Sequence, residues 1–479
     1  MNYKYIKIIS KKILKYYLLY ALIFGVLIFA IYRPKENKYE KIHTTNYTYQ
    51  DNYGQDRIAL VEDRYDSGIV RVNLIENAEN TLDISYYTLI NGVSTKIFLG
   101  SILEAADRGV EVRILLDGIF HNLKGELKDT IYAFSNHPNI QLKFYEPFNF
   151  LIPWSWNNRL HDKIMIVDSN LAIIGGRNIG DRYFAKSSDD NNLVNDRDVV
   201  ILNADIDNYS NSVIFEMEKY FNDLWNHKLT KYPIKRLSKR KIKKGVNYSQ
   251  YLKDNLEEYR KTNYDIFKNN IHWYNKTLPV KNINFVHNPI GRFNKEPLCL
   301  DEILNLASQS KESIFIQSPY IIPSRNIVKE MNKHDINVDN IDILTNSFAA
   351  SPNYFGISGY ANHRKKIVDL GMELYEYQGP ESIHGKTYIF DEKIAVVGSF
   401  NFDPRSSFLN TESLVTINSP EFVELIQQEI DKQIVNSLKV GEDYSYISNN
   451  IKETTNLHPF KKIAIKAISK LVYFLEFLL

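Results

Sequence analysis

Two segments of this 479-residue chain carry residue types suited to attack on a phosphodiester. His161 is followed by Lys163, Asp168, Gly175 and Asn178, and His384 by Lys386, Asp391, Gly398 and Asn401, each at offsets of +2, +7, +14 and +17. One imidazole can attack phosphorus, the other can carry a proton, and two ammonium groups can hold phosphate oxygens. No cluster with metal-ligand spacing accompanies them, so the expected chemistry uses neither metal nor other cofactor. After His384, Lys386, Tyr388 and Phe390 alternate with Thr387 and Ile389, which predicts a strand with His and the +2 Lys on one face. The pattern leaves open which histidine is the nucleophile.

The segments that must position these residues also repeat. Thr81 to Leu89, Gly92 to Ala106 and Val110 to Leu116 read as strand, helix and strand of a βαβ unit, and Ile140 to Tyr145 as another strand before His161. The second half replays this, with strands at Ser313 to Gln317, Ile341 to Leu344 and Glu373 to Tyr377 and a helix from Ser324. The expected fold class is α/β, two duplicated halves of mixed sheet flanked by helices, meeting about a pseudo-two-fold with the site at the seam. The reading divides the chain into an anchor (1–35), a polar tether (36–56), a first half (57–226), a basic connection (227–295), a second half (296–457) and an amphipathic C-terminal helix (458–479).

Composition narrows the partners. Net charge is only +2, with 59 Lys and Arg against 57 Asp and Glu, so overall charge does not argue for nucleic acid. Cys299 stands alone, which excludes an intrachain disulfide. Tyr16 to Tyr32 is an uncharged apolar run at the short end of a bilayer span, and Ala30-Ile31-Tyr32 makes a poor cleavage site, so an uncleaved single-pass anchor is expected. Five lysines before it against four basic residues after it tilt the catalytic part to the outer face of the cell membrane.

Three further stretches have more than one reading each. The loop EPFNFLIPWSWNNR before His161 either folds onto the core or forms an apolar rim in lipid. The basic run Lys235 to Lys244 is a solvated helix face or a site for anionic headgroups or nucleic acid. In the tail, Ala464, Ile468, Leu471, Leu475 and Leu478 form a stripe for a membrane surface or for the protein's own core.

Paired HxKxxxxD motifs with the tails GGRN and GSFN resemble the phospholipase D superfamily, and GGRNIGDRYF and GSFNFDPRSSFLNTE resemble bacterial cardiolipin synthases in particular. The resemblance implies a phosphatidyltransferase working through a phosphatidyl-histidine, with His161 as nucleophile and His384 as proton carrier. It makes His161, Lys163, Asp168, His384, Lys386 and Asp391 the catalytic set, although an acid at +7 returns to the far end of its strand and suits a structural role too. Asn178, Ser399 and Asn401 would bind phosphate oxygens; Asp198, chosen from Asp196 and Asp198, and Glu412 would orient the histidines. Gly175, Gly176 and Gly398 would permit close packing. Phosphatidylglycerol is the expected acceptor, phosphatidylglycerol or phosphatidylethanolamine the donor, and a hydrolase or nuclease of the same superfamily the alternative. Whether a partner protein is needed stays open.

Overall fold

In the computed structural model, residues 3–31, 52–186, 193–263, 267, 271–447, 451–454 and 459–479 are described. Apart from residues 52–56, the expected tether lies outside them. The first half and the connection supply β1 (Asp56–Val61), β2 (Thr81–Tyr86), β3 (Glu111–Asp117), β4 (Ile140–Tyr145), β5 (Lys163–Val167), β6 (Leu171–Gly175), β7 (Val194–Asn195), β8 (Asp198–Asn203), β9 (Thr230–Lys231) and β10 (Leu278–Pro279). There follow β11 (Asn282–His287), β12 (Ile314–Gln317), β13 (Ile341–Asn346), β14 (Glu373–Tyr377), β15 (Ser382–Ile383), β16 (Thr387–Phe390), β17 (Ile394–Gly398), β18 (Ser413–Asn418) and β19 (Ser437–Lys439).

Strand order exposes the duplication. One sheet runs β10-β1-β8-β6-β5-β2-β3-β4-β9, the other β11-β18-β17-β16-β12-β13-β14-β19, so the path from β1 to β9 recurs from β11 to β19, with β10 added at the edge of the first sheet. In each, three strands are parallel (β2-β3-β4 and β12-β13-β14) and joined by helical crossovers, while the motif hairpin, β5-β6 or β16-β17, is antiparallel. The crossover helices are Val93–Asp107 and Thr130–Asn136 in one half and Arg325–Met331 and Tyr354–Asp369 in the other. Strands buried on both faces need near-continuous aliphatic sequence, and Lys163–Val167 and Leu171–Gly175 have it, KIMIV and LAIIG.

The sheets pack face to face. Ile58, Ile164, Ile166 and Ile174 share one core with Ile389, Val397, Val415 and Ile417 of the other half. Helices Val213–Asn226 and Pro420–Ile434 add Met217, Phe221, Phe422 and Ile426 to it. The connection is not a loose linker: its helix Lys239–Thr262 buries Leu252 and Leu256 against the first half.

Two short pairings stitch the halves beside the motifs. β15 runs parallel to β7, pairing Ser382 with Val194 and Ile383 with Asn195, and the His384 amide donates to the Asn195 carbonyl at 2.6 Å. Leu160 bridges to Thr411, and the His161 amide donates to the Thr411 carbonyl at 3.1 Å. Each histidine is thus seated by backbone of the opposite half.

Candidate active site

That stitching brings a carboxylate of one half behind the imidazole of the other. His161 Nδ1 lies 2.9 Å from Glu412 Oε2, and His384 Nδ1 lies 2.5 Å from Asp196 Oδ2. Both carboxylates are fully buried. A carboxylate at Nδ1 directs the other ring nitrogen, Nε2, away from it. Both rings line one cavity of ≈ 670 Å³, which Asn178 and Asn401 also line.

Asp196, rather than Asp198, therefore stands behind His384. Asp198 starts β8 opposite Gly175 and accepts from Arg71 at 3.0 Å, Arg177 at 2.9 Å and Ser67 at 2.8 Å, forming a buried ionic cluster. Its counterpart in the second half is Leu414, paired with Gly398, and counting back two residues gives Glu412 there and Asp196 in the first half. The glycines leave room for this: a Cβ on Gly176 would fall 2.1 Å from Asp196 Oδ1, and one on Gly175 2.1 Å from Asp198 Oδ1.

The acids at +7 stand apart from both imidazoles. Asp168 and Asp391 follow strands of five and four residues and open the hairpin turns with φ of 51° at each, a left-handed conformation that Asp tolerates better than most residues. Asp168 accepts the amides of Glu79, Asn80 and Thr81 at 2.7 to 2.8 Å; Asp391 accepts those of Lys311, Glu312 and Ser313 at 2.8 to 3.1 Å. Both pin the chain entering β2 or β12, which corrects the catalytic expectation for them.

Ser399 is corrected as well. Its hydroxyl donates to Glu412 Oε2 at 2.5 Å, behind the histidine, while Asn410 donates to Glu412 Oε1 at 3.1 Å. The asparagines do face the cavity. Asn178 Nδ2 lies 3.1 Å from Tyr183 Oη and Asn401 Nδ2 3.4 Å from Ser406 Oγ, and the Oδ1 of each is buried with no hydrogen-bond partner.

Lys163 and Lys386 are buried, their ammonium groups folded back toward the carbonyls of His161 and His384. Burial, only partly offset by nearby carboxylates, pushes Lys163 down to about 7 and Lys386 to about 8. Burial and the Lys386 charge push His384 down to about 3, and burial lowers His161 too. Burial would raise Asp196 and Glu412, but the adjoining lysines and imidazoles outweigh it and hold both below the usual carboxylate range. Lys386 Nζ lies 3.9 Å from Asp196 Oδ2, so the two groups behind His384 are themselves an ion pair. His384 Nδ1 also lies 2.7 Å from Lys386 Nζ, so it finds an acceptor in Asp196 when protonated and a donor in Lys386 when not.

Several lining residues escaped the motif reading. Tyr87 stands edge-on to His161 at 5.0 Å between centroids and Tyr183 edge-on to His384 at 5.8 Å. Tyr320 and Arg405 also line the cavity. The C-terminal helix Pro459–Phe474 packs on Tyr354–Asp369, and Leu471, Leu475 and Leu478 close one wall. Docking is thus the reading the tail adopts, yet Phe460, Ile463, Tyr473 and Phe474 stay exposed.

The aromatic loop finds its support in the N-terminal helix, which runs from Tyr3–Leu22 through a π-helical turn, Ile23–Leu27, into Ile28–Ile31. From Ile6 to Ile31 it is long and apolar enough to cross a membrane. Tyr17 and Tyr20 donate to the carbonyls of Phe150 and Leu151, Phe24 meets Trp154 edge-on, and Asn157 donates to the Gly25 carbonyl. Phe148, Phe150 and Leu151 remain exposed beside it. The basic run opens the helix Lys239–Thr262 elsewhere, with Lys241 lining a separate groove beside Tyr132.

Comparison with known proteins bears on the family and the fold. The chain belongs to the family described as cardiolipin synthase, PLD-like domain, whose profile matches residues 72–225 and 303–434, one segment per half. It is 31% identical over 424 residues to cardiolipin synthase C of Escherichia coli K12, covering 80% of this chain and 85% of that one. An uncharacterized protein of Helicobacter pylori J99 is 30% identical over 402 residues, 77% of each chain. Among solved structures, a phosphatidylserine synthase of Haemophilus influenzae Rd KW20 shares the fold, with a TM-score of 0.58 at 16% identity over 88% of this chain and 95% of that one.

Proposed function

We propose that the two halves share one active site about a pseudo-two-fold and that the protein is a membrane-anchored phosphatidyltransferase making cardiolipin. The observation that carries the reading is the pair of imidazoles, each backed by the other half's carboxylate, opening on one cavity walled by leucines. Neutral His161, its Nδ1 proton held by Glu412, attacks the phosphorus of a phospholipid through Nε2. A bond to phosphorus forms, the bond to the headgroup oxygen breaks, and His384 gives that oxygen its proton. The acyl-bearing phosphatidyl group stays on His161. His384, now neutral, takes the proton of an incoming lipid alcohol whose oxygen displaces His161 from phosphorus.

The lowered values at His384, Lys163 and Lys386 fit this cycle. A phosphodiester entering between the lysines adds negative charge, which favours their protonated forms and raises His384 toward the state that can donate a proton. Asn178 and Asn401 turn an NH2 to the phosphate when their amides are oriented so that the Tyr183 and Ser406 hydroxyls donate to Oδ1. The nearness of E. coli cardiolipin synthase C and the apolar cavity wall support transfer between lipids over hydrolysis. The aromatic loop and the apolar N-terminal helix, packed together, support action at a bilayer, and the five lysines before the apolar run against four basic residues after it favour the outer face for the catalytic part.

The test is mass spectrometry of lipids after the reconstituted protein, or its His161→Ala or His384→Ala variant, meets phosphatidylglycerol with and without phosphatidylethanolamine. Cardiolipin from the unaltered protein alone supports the reading, and dependence on phosphatidylethanolamine names the donor. Phosphatidic acid alone makes it a hydrolase.

A further inference from the structure

The cavity receives one arginine from each half at corresponding places. Arg182 comes four residues after Asn178 and Arg405 four after Asn401, and both line the cavity of the two histidines. Their surroundings differ. Arg405 is tied down: Nη1 donates to the Asn157 carbonyl at 3.1 Å and Nη2 to the Leu478 carbonyl at 2.5 Å. Arg182 Nε is buried without a hydrogen-bond partner, and among the described residues no ion pair of its guanidinium with a carboxylate is seen. The adjacent Asp181 does not supply one, because its oxygens accept the amides of Val93 at 3.0 Å and Ser94 at 2.7 Å.

A buried guanidinium N–H with no acceptor costs folding free energy unless something fills the place. The surroundings of Arg182 say what fits. Its guanidinium lies 5.4 Å from the centroid of the Tyr183 ring, and that ring stands 5.8 Å from His384. Arg182 therefore flanks the site on the side of the histidine that receives the proton of the incoming alcohol. The donor's phosphate is already met by His161, the two lysines and the asparagines. An acceptor lipid brings a second phosphate, one glycerol unit from its reacting hydroxyl, and a planar fork of N–H donors suits that anion.

We propose that Arg182 is the subsite for the acceptor's phosphate and so selects an anionic phospholipid alcohol over water or a neutral alcohol. This rests on the transfer reading above, with His384 as base in the second step. The subsite acts on which nucleophile consumes the phosphatidyl-enzyme, and not on how that intermediate forms.

Partition of the common intermediate tests it. Reconstituted full-length protein is given phosphatidylglycerol vesicles in ethanol-containing buffer, and cardiolipin, phosphatidylethanol and phosphatidic acid are quantified together. Arg182→Gln is expected to lower the ratio of cardiolipin to phosphatidylethanol by about 10- to 100-fold, the range for losing a charged hydrogen bond, and Arg182→Lys to restore part of it. Glycerol phosphate added as a soluble acceptor separates recognition of the phosphate from that of the lipid: transfer to it should fall with cardiolipin in Arg182→Gln. A ratio within twofold of the unaltered protein's overturns the assignment, and so does an equal fall in all products, which marks a structural role. Unaltered protein that transfers to ethanol but never makes cardiolipin overturns the reading of transfer to a lipid acceptor and the subsite with it. Cardiolipin from the unaltered protein with an unmoved ratio in the variant overturns the subsite alone.

Discussion

Asp196→Asn and Asp198→Asn, two residues apart in sequence, should fail in opposite ways. Asp196 Oδ2 lies 2.5 Å from His384 Nδ1, and in the proposed mechanism its negative charge stabilises the imidazolium that protonates the leaving headgroup. Unit charges centred about 4 Å apart at an effective dielectric of about 20 attract by about 4 kcal/mol, which corresponds to about 1000-fold in rate. Asp196→Asn is therefore expected to cut kcat by that order while the fold persists. Asp198 touches no histidine but neutralises Arg71 and Arg177 in the core. Asp198→Asn leaves those guanidiniums facing a neutral amide, at a cost of about 3–5 kcal/mol. Its loss should appear in the urea midpoint, with kcat per folded molecule reduced far less. The assay is product formation by mass spectrometry, normalised to the folded fraction from near-ultraviolet circular dichroism. An Asp196→Asn variant keeping more than a tenth of kcat, or two variants with equal loss per folded molecule, would refute the reasoning.

Two further outcomes follow from the geometry. Asp168→Ala and Asp391→Ala each strip three backbone amides of their acceptor and should lower stability by about 1–3 kcal/mol in urea titrations; a loss confined to turnover, with an unchanged midpoint, would return these acids to the catalytic set. Lys163, pushed down to about 7, holds fewer protons folded than unfolded between that value and its ordinary value near 10.5. Its contribution to stability therefore rises with pH across that window. The stability of the unliganded protein relative to Lys163→Met should grow from pH 6 to 9.5, and a flat difference would count against the lowered value.

The histidines, lysines and asparagines were legible because the same spacing recurs around two separate hairpins, and the strand of each motif was legible from alternation. Asp198 misled because the segment before VVIL carries two acids, and only registering Val199 against Val415 shows that Asp196 matches Glu412. The acids at +7 look catalytic in a motif and structural in a turn, since the same carboxylate that completes the pattern also caps the entering strand. Ser399 faces Glu412 because of long-range pairing between β17 and β18, which local periodicity does not encode. The packing of the aromatic loop along the N-terminal helix joins residues more than 130 positions apart, so neither stretch alone could choose between its two readings.

The exchange of carboxylates between the halves has a consequence for how such a duplicated chain can change. Because His161 leans on Glu412 and His384 on Asp196, a lesion in either half would, in the proposed mechanism, disarm the imidazole of the other, and neither copy could decay into a passive scaffold while its twin keeps working. A small hinge movement between the sheets would separate both pairs in one step. The duplication thus behaves as an interlocked couple, and its two copies diverge more freely at positions, such as Asp198 and Leu414, that lie outside the interlock.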